Sequence, residues 1–238
     1  MDSQKTNSYG IKVFHSYDGF ELQSYTSSTN TNVIFSYDAD WGNTDSHFPY
    51  VYDYFSETLR DRKSLNQEFR VVSDSADFQK NSFFEWVIGA SYLELKESNL
   101  KKDDGLYGDP SDPYGPYVSA SSFSSKYKSS NFSIFGNLDY LLSTSLKFSI
   151  GLRWEDWEAD YSDSLQESFN PTDKMSGGKI SLIKNMTIYT NMYASLARGY
   201  KQGGFNLGLD ANATNKNLTY DPEFLTNYEL GINTKLLD

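Results

Sequence analysis

Cysteine is absent from the 238 residues, which removes disulfide staples and thiolate metal sites as ways of holding this chain together. Long apolar runs are missing as well. No stretch approaches the roughly 18 consecutive apolar residues of a transmembrane helix, so a helical membrane protein is excluded. Positive charge is scarce, with 21 Lys and Arg against 32 Asp and Glu. A net charge of −11 leaves little to neutralise phosphates, and no nucleic-acid partner is expected. Histidine occurs only at His15 and His47, in different segments, and no nucleophile, base or phosphate-cradling glycine loop accompanies either. The chain is therefore not expected to be an enzyme, to need a cofactor or to hold a metal. The opening MDSQKTNSYG has neither the basic nor the apolar part of a signal peptide. It reads as a protein that is not exported or as a piece of a longer one.

Aromatics are what the chain has in excess. They make up 16% of it, led by 19 Tyr and 16 Phe, while all hydrophobic residues together reach only 38%. That is thin for a soluble core and suits rings placed at a membrane–water interface. The mean hydropathy of −0.61 does not contradict this, because a β-barrel alternates lipid-facing apolar residues with lumen-facing polar ones and the average hides both.

Strand-like segments recur, joined alternately by short and long connections. Residues 11–15 and 20–37 meet through the turn at 16–19, and a long polar loop covers 38–63. Strands over 65–73 and 83–95 are joined by a polar turn at 75–81. The longest irregular segment, 96–125, holds three of the six prolines in GDPSDPYGPY. Strands over 131–141 and 145–157 are joined by almost nothing, and a loop covers 158–173. Strands over 177–183 and 186–199 meet at Lys184-Asn185, and a last loop, 203–221, leads into 227–237. About nine strands result. Short turns on one side and long loops on the other form the pattern of an outer-membrane barrel, with tight periplasmic turns and extended extracellular loops.

Pleat alternation assigns the faces. Leu146, Phe148, Ile150, Leu152 and Trp154 share one parity, and Lys147, Ser149, Gly151, Arg153 and Glu155 the other. The same split recurs in Met186, Ile188, Met192 and Leu196 and in Tyr228, Leu230, Ile232 and Leu236. Alternation alone fits a membrane barrel or a soluble antiparallel sheet. Strand length favours the barrel, since crossing a membrane takes about 9–11 residues and globular strands average about 5–6.

Five phrases then carry a family resemblance. LNQEFRVVS (65–73) precedes WVIGASYLE (86–94), and SIFGNLDYLLSTSLKFSIGLRWE (133–155) reads as the next hairpin. YASLARGYKQGGFN (193–206) and DPEFLTNYELGIN (221–233) follow in the same order and spacing. Together they resemble the TonB-dependent outer-membrane receptors over about the last three-quarters of the chain. The resemblance implies an all-β, antiparallel transmembrane barrel segment, about nine strands of an up-and-down barrel of about 22 strands. Residues 1–238 would then be part of the barrel domain, without the plug domain and the C-terminal strands. It also implies localisation in the outer membrane of a Gram-negative bacterium and TonB-energised uptake of a scarce nutrient, a ferric siderophore complex before cobalamin or an oligosaccharide. The implied partners are outer-membrane lipid, the small ligand, and the TonB system acting through a plug domain. Two alternatives stay open. A passive porin-like channel shares the architecture, and a plug-coding region upstream would distinguish it. A soluble extracellular carbohydrate-binding β-protein would fold without detergent.

Arg198, Tyr200 and Lys201 are the candidate ligand-binding residues, because they sit at the extracellular end of a strand, where the resemblance places the mouth of the lumen. Arg and Lys would attract an anionic ferric chelate and Tyr would stack on it. The same phrase could instead specify barrel structure or plug contacts, with Arg198 pairing an acidic neighbour. Substrate choice is expected in the loops, especially 41–55 and 107–123. Gly203-Gly204 reads as backbone freedom where a strand leaves the membrane. The acidic residues of the loops and the pairs Asp103-Asp104 and Glu155-Asp156 read as solvated surface, with a cation site among the loop acids as the other possibility.

Overall fold

A computed structural model describes residues 2–43, 45–74, 83–205 and 219–235. Among the described residues there is no helix and there are twelve strands. They are β1 (Ser3–Tyr17), β2 (Phe20–Asp38), β3 (Val51–Ser73), β4 (Phe84–Gly108), β5 (Tyr117–Ser143), β6 (Leu146–Asp163), β7 (Ser168–Phe169), β8 (Thr172–Asn185), β9 (Thr190–Lys201), β10 (Gly204–Phe205), β11 (Thr219–Tyr220) and β12 (Glu223–Thr234). Nine of them form one antiparallel meander in the order β1-β2-β3-β4-β5-β6-β8-β9-β12, with β7 added beside β6 and β10-β11 forming a separate small ribbon. Each neighbour in the meander is the next long strand in sequence, so the up-and-down reading holds. The turn expected at 75–81 lies outside the described residues, as do 206–218 of the last loop.

The strands run well past the segments that alternation marks. The loop expected at 38–63 is confined to 39–50, and the irregular segment expected at 96–125 to 109–116, because β3, β4 and β5 continue through the rest. The physical reason is a change of surroundings. In the upper part of β3, Arg60, Asp61, Arg62 and Lys63 are consecutive, so both faces carry charge and the period-2 signal vanishes although the ladder continues. Such segments need water on both sides. The 25 residues of β4 span roughly 80 Å at about 3.3 Å per residue, against an apolar band about 25 Å tall. The connection between β8 and β9 also shifts, from Lys184-Asn185 to the bend at 186–189.

Residues directly opposite in an antiparallel ladder share a face, so the register sorts the wall into two surfaces. One carries Phe69, Ile88, Ile134, Leu152, Ile180, Leu196 and Leu230, all exposed, with Leu152 at 63% and Leu230 at 78%. Among the described residues, only Trp157, Ala159, Tyr161 and Met175 are buried hydrophobics. A sheet with so little core must find apolar surroundings outside itself, which is the position of a lipid-facing wall. The opposite face carries the polar partners. Asp139 meets Lys147 at 3.0 Å, Glu68 pairs with Arg70, and the guanidinium groups of Arg70 and Arg153 lie 5.9 and 5.8 Å from the Phe135 ring. Gly89 makes room for that ring: a Cβ there would stand 2.4 Å from it.

Gly231 does the same for Tyr193, whose hydroxyl donates to Glu229 at 2.7 Å, and a Cβ at Gly231 would lie 2.5 Å from the ring. Gly231→Val is expected to push the ring off its hydrogen bond and lower barrel stability by about 1–3 kcal/mol, read as a lower unfolding midpoint. Adding Tyr193→Ala should restore part of that loss. A second expectation concerns the 39–50 loop. The Asp40 carboxylate accepts the Gly42 and Tyr54 amides at 2.9 and 3.1 Å, and these bonds hold its pKa below the usual carboxylate value. A lowered folded-state pKa means the anchor is fully present above the ordinary value, about 4, and is lost as pH falls through the lowered one. Amide exchange protection at Gly42 and Tyr54 should therefore collapse on acidification, and Asp40→Asn should remove most of that pH dependence.

Candidate functional site

The buried hydrophobic residues gather at one place, the loop-side end of the inner face. Met175 on β8 and Trp157 and Ala159 on β6 form a small cluster, with Tyr127 on β5 and Tyr200 on β9 packed against it. A single sheet cannot bury its own face, and the cover comes from the β10-β11 ribbon, which folds back over the wall. Phe205 is its anchor, with ring centroids 4.8 Å from Tyr161, 5.7 Å from Phe169 and 5.9 Å from Tyr127.

Gly203 and Gly204 make this fold-back possible, but for a different reason than backbone freedom. Both are buried and neither has a positive φ. A Cβ on Gly203 would stand 2.5 Å from the Tyr220 carbonyl oxygen, and one on Gly204 would stand 2.5 Å from the Tyr220 hydroxyl. The close approach of the two ribbon strands to each other leaves no room for a Cβ at Gly203, where the neighbour is backbone, and at Gly204 a Cβ would displace the Tyr220 ring. The Gly203 amide is tied down by Asp173 Oδ2 at 3.2 Å.

Glu155 occupies the centre of the inner face at this level. It is 7% exposed and accepts from Asn131 Nδ2 at 2.6 Å, Arg153 Nε at 2.9 Å and the Tyr200 hydroxyl at 3.0 Å. The expectation of a solvated carboxylate pair is thus corrected at Glu155, since alternation sends it inward while Asp156 goes outward to Lys174 at 3.9 Å. Three donors, one of them a guanidinium, compensate a charge that burial alone would penalise. Further up the same face Asp103 accepts from the buried Ser56 hydroxyl at 2.6 Å and pairs with Lys101 at 3.0 Å, and together these hold its pKa down.

The three residues singled out in the sequence are separated by the fold. Tyr200 and Lys201 border a cleft of 510 Å³ with Tyr127, Trp157, Phe205 and Tyr220. Arg198 lies on the outer face instead, opposite Gly178, with its guanidinium 4.5 Å from the Phe224 ring centroid. A ring, rather than an acidic residue, is its neighbour. The change of side between Arg198 and Tyr200 occurs where the β8-β9 ladder stops, at Gly178–Arg198. The Tyr200 ring settles over Gly177, where a Cβ would stand 3.0 Å from it. Lys201 reaches Glu223 at 4.0 Å and remains largely exposed. Sequence reasoning missed Glu155, Phe205 and Tyr127 as members of this site. The only local signal for them was inward parity and a phenylalanine directly after two glycines.

A second aromatic group lies beside the loops. Tyr52 is its centre, with the rings of His47, Tyr54 and Tyr107 at centroid distances of 5.0, 4.7 and 6.4 Å from its own. His47 is half-buried against Tyr52. Trp41, Phe48 and Tyr114 stand out into solvent nearby in sequence, each more than four-fifths exposed. No group of three or more potential metal ligands occurs among the described residues.

Known structures show the same wall. The ferric yersiniabactin uptake receptor FyuA from Yersinia pestis is 17% identical and superposes with a TM-score of 0.72, over 100% of this chain and 34% of that one. The siderophore receptor PiuA from Acinetobacter baumannii is 16% identical with a TM-score of 0.72, over 99% of this chain and 38% of that one. The copper transporter OprC is 16% identical with a TM-score of 0.65, over 98% and 37%. At these identities the likeness is one of fold, and the chain spans little more than a third of each protein's length. The family model for the TonB-dependent receptor-like β-barrel matches residues 2–238. With its open meander, two-faced wall and inward-folded ribbon, the chain belongs to the β-barrel family of TonB-dependent receptors, which are receptors and not enzymes.

Proposed function

We propose that this chain is part of the barrel wall of an outer-membrane receptor that takes up a scarce nutrient at the expense of TonB-transmitted energy, a ferric siderophore complex being the first candidate. The observation that carries the reading is the inner-face cleft at the loop end. It combines a cation at Lys201 with the rings of Tyr127, Trp157, Tyr200, Phe205 and Tyr220, and it opens where a ligand would arrive from outside. Anionic chelates carrying aromatic rings suit such a surface. The names of FyuA and PiuA support iron–siderophore uptake, while the copper transporter OprC shows that one wall serves more than one cargo. Within this proposal Tyr200 and Lys201 contact the ligand, and Arg198, on the other face, holds Phe224.

The polar inner face below the cleft, with Arg70, Glu68 and Arg153, would meet a plug domain through which the TonB system acts. The same reasoning makes the chain one part of a closed barrel. Strands β1 and β12 are the two edges of the meander, and unpaired edge groups in lipid cost several kcal/mol each. Expressed alone, the chain is expected to give no heat-resistant, detergent-stable monomeric barrel. Recovery of such a monomer from outer membranes would overturn this.

The ligand assignment is tested by fluorescence titration of the complete barrel with ferric catecholate and hydroxamate chelates. Lys201→Gln and Phe205→Ala should each weaken binding by roughly tenfold, with Arg198→Gln near the parent value. Saturable binding of cobalamin or an oligosaccharide, with none for any ferric chelate, would replace the substrate class.

A further inference from the structure

A carboxylate lines the aromatic cleft of the inner face. Glu155, 7% exposed, borders the 510 Å³ space together with the rings of Tyr127, Trp157, Tyr200, Phe205 and Tyr220. Aromatic rings carry negative charge on their faces, and a cation taken out of water gains from every face it meets. An anionic group placed as deep would meet both the rings and the carboxylate with the wrong sign.

Glu155 keeps capacity for one more partner. Arg153 Nε and the Tyr200 hydroxyl both donate to its Oε2, at 2.9 and 3.0 Å. Its Oε1 accepts, among the described residues, from Asn131 at 2.6 Å, and a carboxylate oxygen takes two donors. Tyr200 directs its one hydroxyl hydrogen at Glu155, so its oxygen can only accept from anything else. Both polar groups call for a donor. The wall brings no cation to them within the cleft. Among the described residues that line it, Lys201 is the one basic side chain, and it reaches outward to Glu223 at 4.0 Å with 69% of its side chain exposed. Arg153 approaches Glu155 from below, where its guanidinium lies 5.8 Å from the Phe135 ring. The cleft therefore has an ammonium at its mouth, a carboxylate in its depth and rings around the space. Its complement is a ligand with charges in the opposite order, anionic at the outer end and cationic at the inner one.

We propose that the cleft takes the alkylammonium group of its ligand, seated among the five rings and donating to Glu155, while the anionic chelating end of the same ligand lies at Lys201. This rests on the cleft being the ligand site and narrows the cargo to an amine-bearing chelate. The ammonium loses its water, and the ring faces together with a charge-assisted hydrogen bond replace it.

The test is a fluorescence titration of the complete receptor in detergent. The probes are a ferric catecholate chelate with a primary-amine arm, the same chelate acetylated on that amine, and butylammonium alone. The amine chelate is expected to bind about tenfold more tightly than the acetylated one. Glu155→Gln should erase that preference while leaving the acetylated chelate near its parent affinity, whereas a merely structural glutamate would weaken both alike. Tyr220→Leu removes one ring from the ribbon and leaves the long ladders intact. It should cut the preference to about threefold, and it decides the matter should Glu155→Gln fail to show heat-dependent gel mobility. Equal binding of the two chelates by the parent, or a full preference surviving either variant, would overturn the proposal. Binding of neither chelate would refute the siderophore reading instead. Butylammonium then decides: a saturable response lost in Glu155→Gln supports the ammonium site, and no response overturns it.

Discussion

The backbone's need for partners governs this molecule. In lipid no water bonds to an exposed N–H or C=O, so a strand that crosses must be paired along its whole length. The ladders from β1 to β6 answer this with unbroken registers, and the shift among them falls at Leu141/Ser143, beside a turn. An uninterrupted register also keeps side-chain parity constant over four or five strands, which is why one face stays apolar and the other polar. A slip of a single residue would exchange the two. The cleft exists because the rule is relaxed at the loop end, where the β8-β9 ladder stops and Tyr200 changes sides.

The inner face solves a second problem, that of polar groups lining a cavity. Arg70, Glu68, Arg153, Glu155 and Asn131 satisfy one another within the wall and across adjacent strands. Rings such as Phe135 and Tyr193 lie flat over glycines, which keeps the surface low without leaving strand backbone bare. Stability here comes from pairing and from layered contacts rather than from a core, and the small buried cluster under the β10-β11 ribbon is the exception that the ribbon itself creates.

Much of this was legible in the sequence, in proportion to how one-sided the surroundings are. Where one face meets lipid, as in Leu146 to Trp154, alternation is strict and the strand can be read directly. Where both faces meet water, as along Arg60 to Lys63, the pattern disappears while the hydrogen-bonded ladder does not, so β3, β4 and β5 looked much shorter than they are. The candidate site was legible only in part. Tyr200 and Lys201 announce themselves by type and place, but Arg198 shares their phrase and faces away, because a local break in pairing is invisible in a string of letters. Partners such as Glu155 and Phe205 are set by contacts across 45 residues or by a fold-back of chain.

The length of β3, β4 and β5 has one more consequence. These strands carry their loops on a continuous hydrogen-bonded palisade. In the receptor proposed above, solutes drifting sideways near the headgroups would meet a stiff fence, and those descending along the barrel axis would reach the cleft. The palisade would thereby work as a collimator. It would narrow the angle of approach and let the sequences at its rim vary without altering the shape of the shaft below.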